Sequence, residues 1–189
     1  MLSSHSILIH HIGMSVNNFS EIAHALTIRV PLAPYQTQQG SFQRCILFRY
    51  RDNGRVGIRL SDALACNTRG IERGNERLLL NTLGDYPEKV SLRVGWPGYP
   101  AWGRQIRARD SAQNPQPYTF AKLAEEIAKA IKQMIDENAN RQCAERSQGW
   151  AVGPGRIQLE HLYLAEIHHV ARGSIEPVLL RSPQSEYAP

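Results

Sequence analysis

Val90, Leu92, Val94 and Trp96 alternate with Ser91, Arg93 and Gly95, the period of two that suits a strand with one buried face. Directly after them, Trp96-Pro97-Gly98-Tyr99-Pro100-Ala101-Trp102 puts two prolines and a glycine where a strand must stop, which predicts a fixed aromatic turn. The next strong period is that of a helix. Phe120, Leu123, Ala124, Ile127, Ile131, Met134 and Ile135 fall on one face of a helix from about Thr119 to about Asp136. Lys122, Glu125, Glu126, Lys129, Lys132, Gln133 and Asp136 fill the other, with Glu125 and Lys129 in the favourable order for an i,i+4 pair. Strand, turn and helix are expected to pack together as the core, to which other segments add.

Weaker patterns place those segments. Ile7, Leu8, Ile9 and Ile12 suggest a first strand, and Asn18 with Glu21 a weak capping box ahead of a two-turn helix. Cys45 to Leu60 reads as a hairpin turning at Asp52-Asn53-Gly54. A three-residue loop with left-handed Gly54 sets Tyr50 opposite Val56, Phe48 opposite Ile58 and Ile46 opposite Leu60, whereas a two-residue loop mixes apolar with polar. The first register gathers Arg49, Arg51, Arg55 and Arg59 on the outer face, with Arg51 and Arg55 as like-charge neighbours. Ser61 can cap a short helix through Cys66, and 78–83 is expected to pair with 89–96. Ile157 and Leu159 alternate in one phase and Leu162 and Leu164 in the other, as though a bulge falls near Glu160-His161. Pro177 marks Ile175 to Leu180 as an edge strand, and 183–189 reads as a loose tail. The expected fold is a single α+β domain over residues 1–182. Its antiparallel or mixed sheet carries the long amphipathic helix on one face.

Composition changes this picture little. A chain of 189 residues can bury a core without disulfides or metals, and 42% hydrophobic with 21% charged residues is ordinary for a globular protein. Ile7 to Ile9 is too short an apolar run for a signal peptide, and no run reaches the length of a membrane span. Cys45, Cys66 and Cys143 are odd in number and far apart, which argues for reduced thiols and a cytoplasmic or nuclear location. Charge is more telling. Between Ser41 and Arg109 lie 13 Arg and Lys against 6 Asp and Glu, while the net charge of the whole chain is only +5. Arginine outnumbers lysine 18 to 4. Its planar fork grips phosphate or carboxylate with two hydrogen bonds, although coding bias toward arginine would give the same count without function.

Chemical motifs are sparse. Adjacent histidines on a strand point to opposite faces, so His10-His11 and His168-His169 can each offer one ligand to a given site, and the two pairs brought together would still need a carboxylate such as Glu166 or a cysteine. No local sequence supports a Cys/His nucleophile, and the glycines at 95, 98 and 103 do not spell a phosphate loop. No catalytic, cofactor or metal residue is therefore assigned. Two surfaces remain: the hairpin arginines, and Tyr99, Trp102, Arg104, Arg107 and Arg109 at and after the aromatic turn. Aromatic side chains beside arginine dominate protein interfaces, which favours a non-enzymatic module acting by self-association or by contact with a protein partner. Nucleic acid is the alternative, with bases stacking and phosphates paired, and a membrane is not expected.

The run Trp96-Pro97-Gly98-Tyr99, with Trp102, Gln105-Ile106, Arg109-Asp110 and Ala121-Lys122-Leu123-Ala124, resembles short proteins of mushroom-forming fungi that carry the same turn and have no known activity. The similarity spans about residues 45 to 180. It takes in Gly57 to Leu64 and, further on, His169-Val170 with Gly173-Ser174. The resemblance implies an intracellular fungal protein and a recurring turn, and it transfers no site and no mechanism.

Overall fold

A computed structural model describes residues 27–36, 44–51, 53–77, 87–171 and 173–182. The strand and helix expected before residue 27, the strand at 78–83 and the tail at 183–189 lie outside the described residues. The described elements are β1 (Ile28–Arg29), β2 (Arg44–Leu47), β3 (Ile58–Arg59), α1 (Leu60–Leu64), β4 (Lys89–Val94), β5 (Trp102–Arg107), α2 (Phe120–Asn138), β6 (Leu162–Ala171) and β7 (Ser174–Arg181). Short 3-10 helices cover Glu145–Trp150 and Leu159–His161. The strands form one mixed sheet in the order β2-β6-β7-β4-β5, with β1 also pairing β7 and β3 also pairing β6. The protein is a single α+β domain with a long amphipathic helix packed on the sheet. None of the described helices is long and apolar enough to cross a membrane.

Helix α2 starts where the sequence says it should. The Thr119 hydroxyl accepts the Lys122 backbone N–H at 3.2 Å, satisfying one of the free donors of the first turn. Leu123, Ile127, Ile131 and Met134 are then buried against the sheet, each contributing about 1.5–3 kcal/mol by leaving water. They share one core with Val90, Leu92, Val94 and Trp96, the buried phase that runs along β4 into the turn. Trp96 settles its one polar atom by donating Nε1–H to the Trp150 carbonyl at 2.8 Å. The aromatic turn after it closes a hairpin, because β5 returns antiparallel along β4 from Val94↔Trp102 to Lys89↔Arg107.

Several expectations need correcting. The aromatic turn leads directly into strand β5, which the hydrophobic pattern did not mark, and β7, expected at an edge, lies in the middle of the sheet. Pro177 survives there because β7 changes neighbours around it. β4 pairs parallel with Ser174 and Ile175, while β1 pairs with Leu180 and Arg181. The carbonyls of Gly173 and Leu179 face that same side, so by strand alternation Pro177 does too, at a point where no ladder bond is required. The 48–57 hairpin also differs from its expected register. Gly54 has φ +64 as expected, but the bridge is Arg49↔Val56, and the Tyr50 N–H donates to Arg55 O at 2.9 Å. Gly57, at φ +97, then ends the pairing. β2 and β3 lie end to end along β6, and Phe48 and Ile58 are both buried without being cross-strand partners. Finally, α1 begins at Leu60 directly from β3, so Arg59 stands at the cap position and makes no side-chain cap bond; Ser61 is inside the helix.

Candidate functional site

The two arginine groups end up at opposite edges of the sheet, with β6, β7 and β4 between β2 and β5. At the hairpin, Arg49 and Arg51 are exposed. Arg55 lies half-buried with its guanidinium 5.7 Å from the Tyr50 ring centre. Arg59 donates to the Tyr163 hydroxyl at 2.8 Å and sits 5.4 Å from that ring. Burial works against the Arg59 cation, but its bond to Tyr163 and the pull of Tyr163, Asp62 and Tyr50 together outweigh this and hold its pKa above the ordinary value. The adjoining loop is tied to this arm: the Arg51 N–H donates to Gly70 O and the Glu72 N–H to Arg49 O. That places exposed Arg69 beside the same patch.

The aromatic turn does not offer its rings freely. The Tyr99 hydroxyl accepts the Val152 N–H at 3.3 Å, and Trp102 donates Nε1–H to Glu137 of α2 at 2.8 Å. The expected aromatic contact surface is thus folded back on the 150s segment and the helix. Arg104 and Arg107 are exposed on β5, where with Lys89, Glu126 and Lys129 they border an open groove of about 310 Å³ between β5 and α2. Arg109 is half-buried and pairs with Glu88 at 3.7 Å.

A third group was not assembled from the sequence. Cys45 of β2 stands opposite His168 of β6, and Glu166 lies two residues along β6 from His168. The Cys45 thiol donates to Glu166 Oε2 at 3.1 Å, and His168 Nε2 lies 2.8 Å from that same oxygen. Burial, then the bond to Glu166, pushes the Cys45 thiol up to about 11, so in this state it is a hydrogen-bond donor and not a thiolate nucleophile. The bonds from Cys45 and then His168 hold the Glu166 carboxyl below its usual range. On β7, opposite His168, burial raises the pKa of Glu176, whose carboxylate accepts the Tyr35 N–H. His169 is buried on the other side of the strand, so the pair His168-His169 does send one ring to each face. The alternation of Glu166 and His168 was visible in the sequence. The missing signal was the long-range register that brings Cys45 to them across 121 residues.

No protein-family model, curated protein or solved structure matches the chain, so no residue role comes to it from another protein.

Proposed function

We propose that this chain is a non-enzymatic interaction module that grips an acidic surface of a protein partner with its hairpin arginines. The observation that carries the reading is the state of Arg49, Arg51 and Arg69. All three are exposed beside one another, and among the described residues no salt bridge holds any of them. Arg55 and Arg59 instead stack on Tyr50 and Tyr163 and stiffen the base of the hairpin. A single exposed ion pair is worth at most about 1 kcal/mol, so several forks held on one rigid arm are what make such a surface useful. Nucleic acid ranks second, because Tyr99 and Trp102 are already engaged and, among the described residues, the patch offers no open stacking platform. Self-association ranks below a foreign partner, because β5, which among the described residues pairs with β4 alone, carries exposed Arg104 and Arg107 and repels a copy of itself.

The test is fluorescence anisotropy with two labelled probes, an oligo-glutamate peptide and a single-stranded oligonucleotide of equal charge. The peptide should bind at low salt, and Arg49→Glu with Arg51→Glu should abolish binding while leaving the melting curve unchanged. Indifference to that double reversal would sink the proposal. A nanomolar oligonucleotide affinity with a log–log salt slope of several times about −0.7 would move the assignment to nucleic acid.

A further inference from the structure

We propose that Cys45, Glu166 and His168 form a binding site for a borderline-soft divalent cation of the zinc class, with a fourth position open to water. The site lies on β2 and β6, apart from the arginine surface, and does not rest on the reading given for that surface. One sulfur, one imidazole nitrogen and one carboxylate oxygen lie within 4.8 Å of one another. Tetrahedral zinc with ligands at about 2.0–2.3 Å needs donor atoms about 3.3–3.8 Å apart. The two hydrogen-bonded separations, 3.1 and 2.8 Å, need to open by well under about 1 Å to reach that spacing. A hard cation such as calcium or magnesium wants an oxygen cage that one carboxylate does not supply, whereas thiolate with imidazole selects zinc and its neighbours.

The backbone fixes this grouping. Antiparallel pairing places Cys45 directly across from His168, where Cβ atoms stand about 4.5–5.5 Å apart. Between Leu164 and Glu166 the β6 ladder shifts register. Before the shift the core takes Leu162 and Leu164, and after it Ile167. That change of phase turns Glu166 and His168 together toward the same side as Cys45, which is a known use of a bulge beside a site. The group is also reachable: His168 and Glu166 side chains are 39% and 31% exposed. On binding, a metal–sulfur bond forms as the thiol proton leaves to solvent, and the two hydrogen bonds to Glu166 are replaced by metal–ligand bonds.

The experiment uses the full chain stripped with chelator, titrated with cobalt(II) as the spectroscopic probe and then with zinc. One equivalent of cobalt should give a thiolate-to-metal charge-transfer band with the intense visible bands of tetrahedral cobalt, and zinc should displace it. Magnesium and calcium should not. Cys45→Ser should remove the charge-transfer band and weaken zinc at least about tenfold, His168→Gln should weaken it comparably, and Cys66→Ser should change neither. Because a variant can fail to fold, zinc protection of Cys45 from iodoacetamide in the unaltered chain, read peptide by peptide by mass, gives a second measure. A charge-transfer band that survives in Cys45→Ser, or alkylation of Cys45 that zinc does not slow, overturns the assignment.

Discussion

Gly54 and Gly98 both hold left-handed backbone, at φ +64 and φ +83, but for different reasons. A Cβ built on Gly54 meets nothing within 4 Å, so the cost of a side chain there is backbone strain alone. A Cβ on Gly98 falls 2.4 Å from Cys143 Sγ and 2.7 Å from Ser147 Cβ, atoms of a segment that is itself bonded to the turn through Ala144 N–H and Gly98 O. Gly54→Asn should therefore cost well under about 1 kcal/mol, since asparagine tolerates this region, and Gly54→Val about 1–2 kcal/mol. Gly98→Ala should cost about 3 kcal/mol or more, strain and overlap together. Denaturant titration of the three variants checks the ranking; equal losses from Gly98→Ala and Gly54→Val would mean that the 143–147 segment does not brace the turn. At this scale the sequence announced what is local. Asp52-Asn53-Gly54 pointed to a left-handed glycine, and the paired histidines pointed to opposite faces. The neighbours of Cys45 were hidden, because which residue of β6 it faces depends on a register that the bulge near Ala165 resets.

Among the elements, α2 was the most legible because its period, its cap and its charges agree. On its outer face Lys122, Glu125, Glu126 and Lys129 form one lattice, with N···O separations of 2.6 to 3.2 Å. Leu123→Ala or Ile127→Ala should cost about 2–5 kcal/mol each through lost transfer energy and a residual cavity. Lys132→Ala, which removes only an exposed pair with Asp136, should stay within about 0.5 kcal/mol. Burial raises the Glu125 carboxyl, but hydrogen bonds from Lys122 and Lys129 overcome it and leave its pKa below the ordinary value. Its stabilisation is therefore present above the unfolded carboxylate pKa of about 4.3 and is lost as pH falls through the lower folded value. Glu125→Gln should be less stable than the parent at neutral pH, and the two should converge in urea titrations below about pH 4; a gap that persists in acid would contradict the lattice. The strands were harder to read. Within β5 only Ile106 is buried and Trp102 half-buried, while exposed Arg104 shares their phase, so an edge strand passes for a polar linker. Pro177 pointed to an edge because a proline names a side without a ladder bond, and in β7 that side is a gap inside the sheet.

For the whole molecule, the α+β class and the helix on one face followed from periodicity, but strand order did not, since it depends on which long-range pairings bury the most. That order gives the arginines two separate duties. Among the described residues β5 pairs with β4 alone and leaves one flank open, a template onto which a second sheet could add. Arg104 and Arg107 stand exposed along that flank, where a copy of the chain would bring like charges together. If they guard the edge, Arg104→Val with Arg107→Val should raise strand propensity, remove two charges from a net of +5 and promote concentration-dependent association on a sizing column. High salt should push the unaltered chain the same way but more weakly, since it screens the repulsion without adding apolar surface. Arg49→Glu with Arg51→Glu at the other edge should leave the sizing profile unchanged while removing affinity for the acidic peptide. If instead the β5 double variant stays monomeric at every concentration while losing peptide binding, the partner sits on β5 and the hairpin arginines are only a solvated face.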